Sequence, residues 1–210
     1  LNINHYITSY CTISQEVVYK NEVPVFENRG ADLPAFLLSA YQHFELNYPK
    51  FYKMDNLSKL GWLATEVLLK GSTIKQYQPE TVGLVLTNAN ASLDSDKKYM
   101  KSVADIPSPA LFVYTLPNIM TGEICIRNNF KGEDAFFIFE KFDAAFIELY
   151  VNNLLSNNIL NACICGWVDV LGDDYKAVLF LVEKVVSDKP ILFTRDNLAN
   201  IFDNLVIDKL

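Results

Sequence analysis

The stretch SPALFVYTLPNIMTGEICIRNNFKGED at 108–134, followed at once by AFFIF at 135–139, decides how this chain is read. Its first part is helical in composition but broken at Pro117, where the missing backbone N–H kinks or restarts a helix. Phe130-Lys131-Gly132 then makes a turn, and AFFIF, rich in aromatic and branched residues, reads as a strand. Upstream, VGLVLTN at 82–88 is a short apolar run of the kind that forms a strand buried on both faces. The polar segment ANASLDSDKKYM and the loop IPSP at 106–109 lie between them, the former opening another helix.

Working outward, Leu57, Leu60, Leu63, Ala64, Val67 and Leu68 fall at three-and-four spacing, which predicts an amphipathic helix capped by Asn56 or Ser58 and stopped at Gly71. Residues 3–14 read as a strand, and Pro24, Gly30 and Pro34 punctuate a loop-like stretch after it. From Lys141 to Asn153 a helical stripe carries Phe142, Ala145, Phe146, Leu149 and Asn153. NACICGWVDV (161–170) and YKAVLFLVEK (175–184) form a strand pair turned at Gly172-Asp173-Asp174. The tail places Leu198, Ile201, Phe202, Leu205 and Val206 at helical spacing. Strands alternating with helices imply an α/β layer architecture, and 210 residues suit one domain over 1–210.

Composition narrows the function. A net charge of −7 disfavours nucleic acid, whose phosphates need clustered Lys and Arg. It also disfavours direct docking to another strongly acidic protein, with Lys50, Lys53 and Lys59 the only candidate basic cluster. Neither a signal peptide nor a membrane-length apolar run is present, so a cytoplasmic protein without membrane insertion is expected. The chain begins at Leu1, which implies removal of an initiator Met. The four cysteines, Cys11, Cys125, Cys163 and Cys165, sit in apolar surroundings without metal spacing and read as buried reduced thiols. Cys163 and Cys165 point to the same side of their strand. No metal or cofactor is expected, since phosphate-cradling glycine loops are absent, as is a GxSxG elbow. His5 and His43 are the only histidines and read as structural, although a Cys11/His5 dyad is conceivable. Asp94/Asp96 and Asp173-Asp174 read as solvated turn carboxylates.

Taken in order, several of these segments resemble the N-terminal half of the β-ketoacyl synthases, members of the thiolase-like superfamily. MDNLSKLGWLATEVLL (54–69) is similar to that family's early helix, and VGLVLTN to the strand after it. The 108–134 stretch matches most specifically: a Ser-Pro opening, Pro117-Asn118 within the helix, Gly122, and Gly132 leading into the nucleophile strand. CGWVDV resembles the Gly-Gly-x-Asp/Glu strand end, with Gly166 and Asp169 as the matching residues. The resemblance implies a thiolase-like half: a mixed, mostly parallel sheet with flanking helices, spanning roughly 3–185 and lacking a C-terminal ketosynthase half.

Departures from the family carry the functional expectation. Nine residues after Gly132, where the family places its cysteine, stands Lys141, and Phe139-Glu140-Lys141-Phe142 contains no Cys, Ser or Thr. An ammonium is on the unfavourable end of a helix dipole, and Glu140 beside it could form a salt bridge with it. A lysine nucleophile would turn a thioester into a stable amide and stop turnover. The two histidines that the family uses to stabilise the enolate have no counterpart, because no histidine follows His43. The resemblance therefore implies a non-catalytic, chain-length-factor-like subunit. It would pair with a full-length β-ketoacyl synthase, or with itself, in fatty-acid, aryl-polyene or polyketide-type synthesis, and meet acyl carrier protein only indirectly.

In this family the strand before the nucleophile pairs with its counterpart across the dimer. Phe136, Phe137, Phe139 and Phe142 are accordingly candidates for a partner interface or tunnel wall, with ordinary core packing the competing account. Two other classes stay open: a stand-alone acyltransferase or thioesterase using Cys11 or another nucleophile, and a homodimeric acyl-binding scaffold. A layer left uncovered by the missing half would show as an unusually apolar open face.

Overall fold

Strand β4 (Val82–Asn88) is buried along its whole length, as an apolar run without polar alternation requires. In the computed structural model, which describes residues 4–184 and 191–204, it lies between two parallel neighbours, β5 (Asp134–Ile138) and β6 (Ala162–Leu171). Strand β7 (Asp174–Glu183) returns antiparallel to β6, with Leu171 opposite Asp174 across the Gly172-Asp173 turn. Gly172 takes φ +64°, left-handed backbone that glycine adopts at no steric cost.

Strand β1 (Tyr6–Ser14) pairs antiparallel with β7 and continues through hairpins into β2 (Val17–Lys20) and β3 (Val23–Glu27). The short β8 (Ile191–Leu192) also lies beside β1. The order across the sheet is β3-β2-β1-β7-β6-β4-β5.

Alternate residues of these strands feed two cores. Leu84, Leu86, Ile164, Val168 and Leu179 face helices α1 (Leu33–His43), α2 (Asn56–Leu69) and α5 (Asn118–Asn128). Val85, Cys163, Cys165, Val178 and Phe180 face α6 (Ala144–Ser156) and α7 (Arg195–Asn204). Helices α3 (Leu93–Val103) and α4 (Pro109–Val113) complete the set, with α4 and α5 separated around Pro117 as its missing donor predicts. The tail positions Leu205 and Val206, like Ile3 of the first strand, lie outside the described residues.

Some local expectations need correction. The cap of α2 is Asp55, not Asn56 or Ser58: its carboxylate accepts the Ser58 N–H at 2.9 Å, satisfying an orphan donor of the first turn. Its other oxygen accepts the Ser95 hydroxyl at 2.6 Å and so ties α3 to α2. The supposed loop around Pro24 and Pro34 is β2, β3 and the start of α1, with Asp32 capping that helix through the Ala35 N–H at 2.8 Å. Both hairpin turns are made by non-glycine residues at positive φ, Gln15-Glu16 and Asn21-Glu22, of which only Asn is a usual left-handed residue.

The periodicity of 141–153 leaves open which side of α6 meets the sheet, and the packing settles it. Ile147, Val151, Leu154 and Leu155 are buried, and Leu149 is 72% exposed. Burying those four aliphatics stabilises this packing by roughly 1.5–3 kcal/mol each, so they fix the helix rotation and Ala145, Leu149 and Asn153 turn outward.

At Gly166, φ is +145° and a Cβ would stand 2.1 Å from the Val178 carbonyl oxygen. Gly166→Ala is therefore expected to cost about 3 kcal/mol or more, through backbone strain and overpacking. Chemical denaturation reads this as a lowered midpoint with an unchanged slope.

Candidate functional site

The parallel strands β4, β5 and β6 end together, and their carboxyl ends are laced by one hydrogen-bonded loop. Asn88, the last residue of β4, holds Ala91 from both sides, accepting its N–H and donating to its carbonyl, each at 2.9 Å. That clamp keeps Ala91 at φ +48°, a left-handed conformation costly for a residue with a Cβ. Asp169 of β6 accepts the Asn90 backbone N–H at 3.1 Å and its side-chain amide at 2.7 Å. Ser92 donates to the Thr115 carbonyl at 2.7 Å, which fastens the segment before Pro117 to the same loop. The Phe139 N–H donates to Asn88 O at 2.9 Å, fixing where the chain leaves β5.

The residues after Phe139 follow from that anchor. Glu140 and Lys141 are exposed, and no ion pair joins them, so the salt bridge considered from sequence is not formed. Lys141 precedes the helix instead of occupying its first turn. Asp143 caps α6 by accepting the Phe146 N–H at 2.9 Å, placing a carboxylate where the helix dipole favours one. Phe142 alone turns inward. Its ring stacks on Phe202 of α7 at 4.3 Å and meets Trp167 edge-on at 6.3 Å. Lys176 secures this contact, donating to the Phe202 carbonyl at 2.7 Å with its ammonium 3.6 Å from the ring centroid. Burial lowers the Lys176 pKa from its usual value.

Strand β5 ends the sheet: β4 is its only partner among the described strands. Phe136 packs on the α2/α5 side and Phe137 on the α6 side, both half-buried, while Ile138 is 55% exposed. Phe137, Phe139, Phe146 and Tyr150 form one aromatic group, with Phe137 and Phe139 each 4.8 Å from Phe146. Beside them a cleft of about 370 Å³ runs along α6, lined by Phe146, Leu149, Tyr150, Asn153 and Leu154. The four aromatic candidates thus divide: Phe142 packs inside, whereas Phe136, Phe137 and Phe139 sit at the open edge.

Other motif residues have local tasks. Gly132 donates its N–H to Val82 O at 3.1 Å, and a Cβ there would stand 2.5 Å from that oxygen, so the turn demands glycine. Asn118 accepts the Thr121 hydroxyl at 2.8 Å in the first turn of α5. Gly122 is under no such demand, since nothing lies within 4 Å of a Cβ built there. Lys50 pairs with Glu123 at 3.5 Å and Lys59 lies over the Phe51 ring, so the basic trio is partly engaged.

The Cys11/His5 dyad does not form. His5 Nδ1 meets Asn152 Oδ1 of α6 at 2.6 Å, whereas Cys11 faces the opposite core. The His43 ring packs 4.8 Å from Phe26. Burial pushes the Cys11 thiol up to about 12 and Cys125 up to about 11, and raises Cys163 and Cys165 as well. Among the described residues, no group of three or more His, Cys, Asp and Glu could hold a metal, and no helix is long and apolar enough to cross a membrane.

No protein-family model matches the chain, and no curated protein matches its sequence. Solved structures do match. The ishigamide ketosynthase/chain length factor superposes with a TM-score of 0.64 at 15% identity, covering 89% of this chain and 64% of that one. A type II PKS acyl-carrier protein in complex with its ketosynthase bound to the hexaketide (AntDE:AntF) gives 0.59 at 14%, covering 87% and 63%. The ketosynthase ApeO in complex with its chain length factor ApeC from Xenorhabdus doucetiae gives 0.57 at 12%, covering 86% and 79%. This chain thus spans a little under two thirds of the first two. The fold is the thiolase-like one of the ketosynthase and chain-length-factor structures, as the ordered motifs implied. The sheet, expected to be mostly parallel, is parallel only at β4–β5 and β4–β6 and antiparallel elsewhere, because hairpins join β1 to β3 and β6 to β7.

Raised thiol pKa values have a direct consequence, because the thiolate is the reactive form. At pH 8 the native protein should leave Cys11, Cys163 and Cys165 unmodified by iodoacetamide over hours, while denaturant exposes all four cysteines to alkylation. Peptide mass mapping reads this, and rapid native labelling of Cys11 would revive a cysteine enzyme. Asp169→Ala, which unties Asn90, should cost about 2 kcal/mol, measured by denaturation, because it removes hydrogen bonds to a charged acceptor.

Proposed function

We propose that this chain is a non-catalytic, ketosynthase-like subunit that pairs with an active β-ketoacyl synthase and helps shape its acyl tunnel, in the manner of a chain-length factor. One observation carries the reading. Where the resemblance places the nucleophile, the chain presents Lys141 in solvent ahead of the Asp143 cap, with no Cys, Ser or Thr from Phe139 to Phe142. A lysine amine that attacked a thioester would form a stable amide and stop turnover. The thiols elsewhere are held protonated by burial.

The open edge of β5 supports pairing. An unpaired edge is a template for another strand, and natural proteins cover or charge such edges. Here it carries Ile138 exposed beside the Phe137–Phe139–Phe146 rings, the aromatic character that interface cores favour. The net charge of −7 leaves docking of an acidic carrier protein to the synthase. A cytoplasmic setting and pathways of the fatty-acid, aryl-polyene or polyketide type belong to the same proposal.

Co-expression with a full-length ketosynthase from the same genome tests it. A stable one-to-one heterodimer is expected by size-exclusion chromatography with light scattering, and Ile138→Lys should weaken it at least tenfold by disrupting the edge. A chain that stays a homodimer whatever synthase is present would move the reading to a homodimeric acyl-binding scaffold. Monomers with every synthase would contradict both.

A further inference from the structure

A cavity of about 690 Å³, walled mainly by polar side chains, opens where the parallel strands begin, at the end away from the Asn88–Ser92 loop. Its place follows from the topology. Glu183 in its wall stands opposite Ala162, the first residue of β6, and Val82, which opens β4, pairs with the same Ala162. The turn after α2 supplies Lys70 and Ser72, and β2 contributes Lys20. The size falls within the roughly 300–1,000 Å³ of small-molecule sites.

Uncompensated charge marks this cavity. Lys20 and Lys70 are fifty positions apart in the chain, yet the Lys20 ammonium donates to the Lys70 carbonyl at the end of α2. Neither ammonium meets a carboxylate among the described residues. Burial, with the Lys70 charge adding to it, lowers the Lys20 pKa from its usual value. Like charges held near each other without a counter-ion disfavour their own ionised forms, and a bound anion relieves that cost. The Lys70 ammonium, 5.8 Å from the Phe44 ring centroid, stands on a flexible stem at the cavity mouth. Glu183 is the one carboxylate in the wall and is 5% exposed. The Thr8 hydroxyl donates to it, and burial together with the Glu183 charge pushes the nearby Tyr77 phenol up to about 12. No cation pairs with this carboxylate among the described residues.

These groups select a ligand. Two ammoniums suit a dianion, and phosphate offers them more acceptor oxygens than a carboxylate does. An ionised carboxylate only accepts, so whatever meets Glu183 must bring donors, as hydroxyl groups do. Asn21 Oδ1 is taken by the Tyr10 N–H at 2.8 Å, which leaves the Asn21 amide nitrogen as a donor in the wall. Ser72 Oγ is buried without a partner among the described residues, an unmet group of the kind a ligand satisfies. An extended polyanion is disfavoured by the net charge of −7. We infer that this cavity binds a small phosphorylated polyhydroxy compound of the sugar-phosphate class, its phosphate at Lys20 and Lys70 and its hydroxyls donating to Glu183. The site stands apart from the synthase-partner reading, and its test needs no synthase.

Isothermal titration calorimetry of the full chain at low ionic strength tests it, with glucose 6-phosphate, inorganic phosphate and glucose as probes. Saturable binding of glucose 6-phosphate is expected, about tenfold tighter than inorganic phosphate, with glucose silent. Lys20→Met should weaken both phosphate probes about tenfold, because it removes a charge-assisted bond. If Lys20→Met, which also gives up the bond to the Lys70 carbonyl, lacks a native circular dichroism spectrum, Lys70→Met decides in its place. Glu183→Gln should bring glucose 6-phosphate down to the affinity of inorganic phosphate without weakening the latter. Absence of saturable binding by both phosphate probes, or unchanged affinity in the folded lysine variants, overturns the site. Equal affinity of glucose 6-phosphate and inorganic phosphate in the wild type overturns the polyhydroxy ligand.

Discussion

Everything in this molecule depends on a sheet that has apolar layers on both faces. Strand β4 exposes none of its residues to water, so helices must cover it above and below, and each neighbouring strand must supply alternating side chains to two cores. Because the peptide groups of β4 have no solvent to turn to, their donors and acceptors are committed to β5 and β6. That commitment aligns three carboxyl ends, and their alignment creates the place where the Asn88–Ser92 loop, the residues after β5 and Asp169 converge.

The same constraint sets which residues the fold itself holds in place. Gly132, Gly166, Asn88 and Asp169 are held by close approaches and hydrogen bonds that serve the backbone. No comparable constraint acts on Lys141, which is exposed ahead of the Asp143 cap and holds nothing in place. What the scaffold presents is shape: an open strand edge at β5, half-buried rings along α6, and α7 stacked on Phe142 through Phe202.

Much of this was legible in the chain. VGLVLTN, the Gly172-Asp173 hairpin and the break at Pro117 are signalled by residues whose backbone preferences leave little choice. The β2–β3 hairpins were hidden because Gln15, Glu16 and Glu22 adopt positive φ without the glycines that advertise such turns. Which face of α6 meets the sheet was not legible, because aromatic and aliphatic residues surround the helix and periodicity alone does not choose between them. Packing decides that, through Ile147, Val151, Leu154 and Leu155. At the site, Asp169 was picked out by order and spacing, and it ties down Asn90. The Phe142–Phe202 stack was not, since the two rings are far apart in the chain and only the path of α7 brings them together.

The central claim, that this subunit does no acyl chemistry of its own, is met most directly by intact-mass spectrometry of the purified chain after incubation with acyl and malonyl thioesters at neutral pH. The account predicts an unchanged protein mass and no condensed β-ketoacyl product. An added acyl mass localised to the peptide bearing Lys141, or release of a β-ketoacyl thioester, would contradict it.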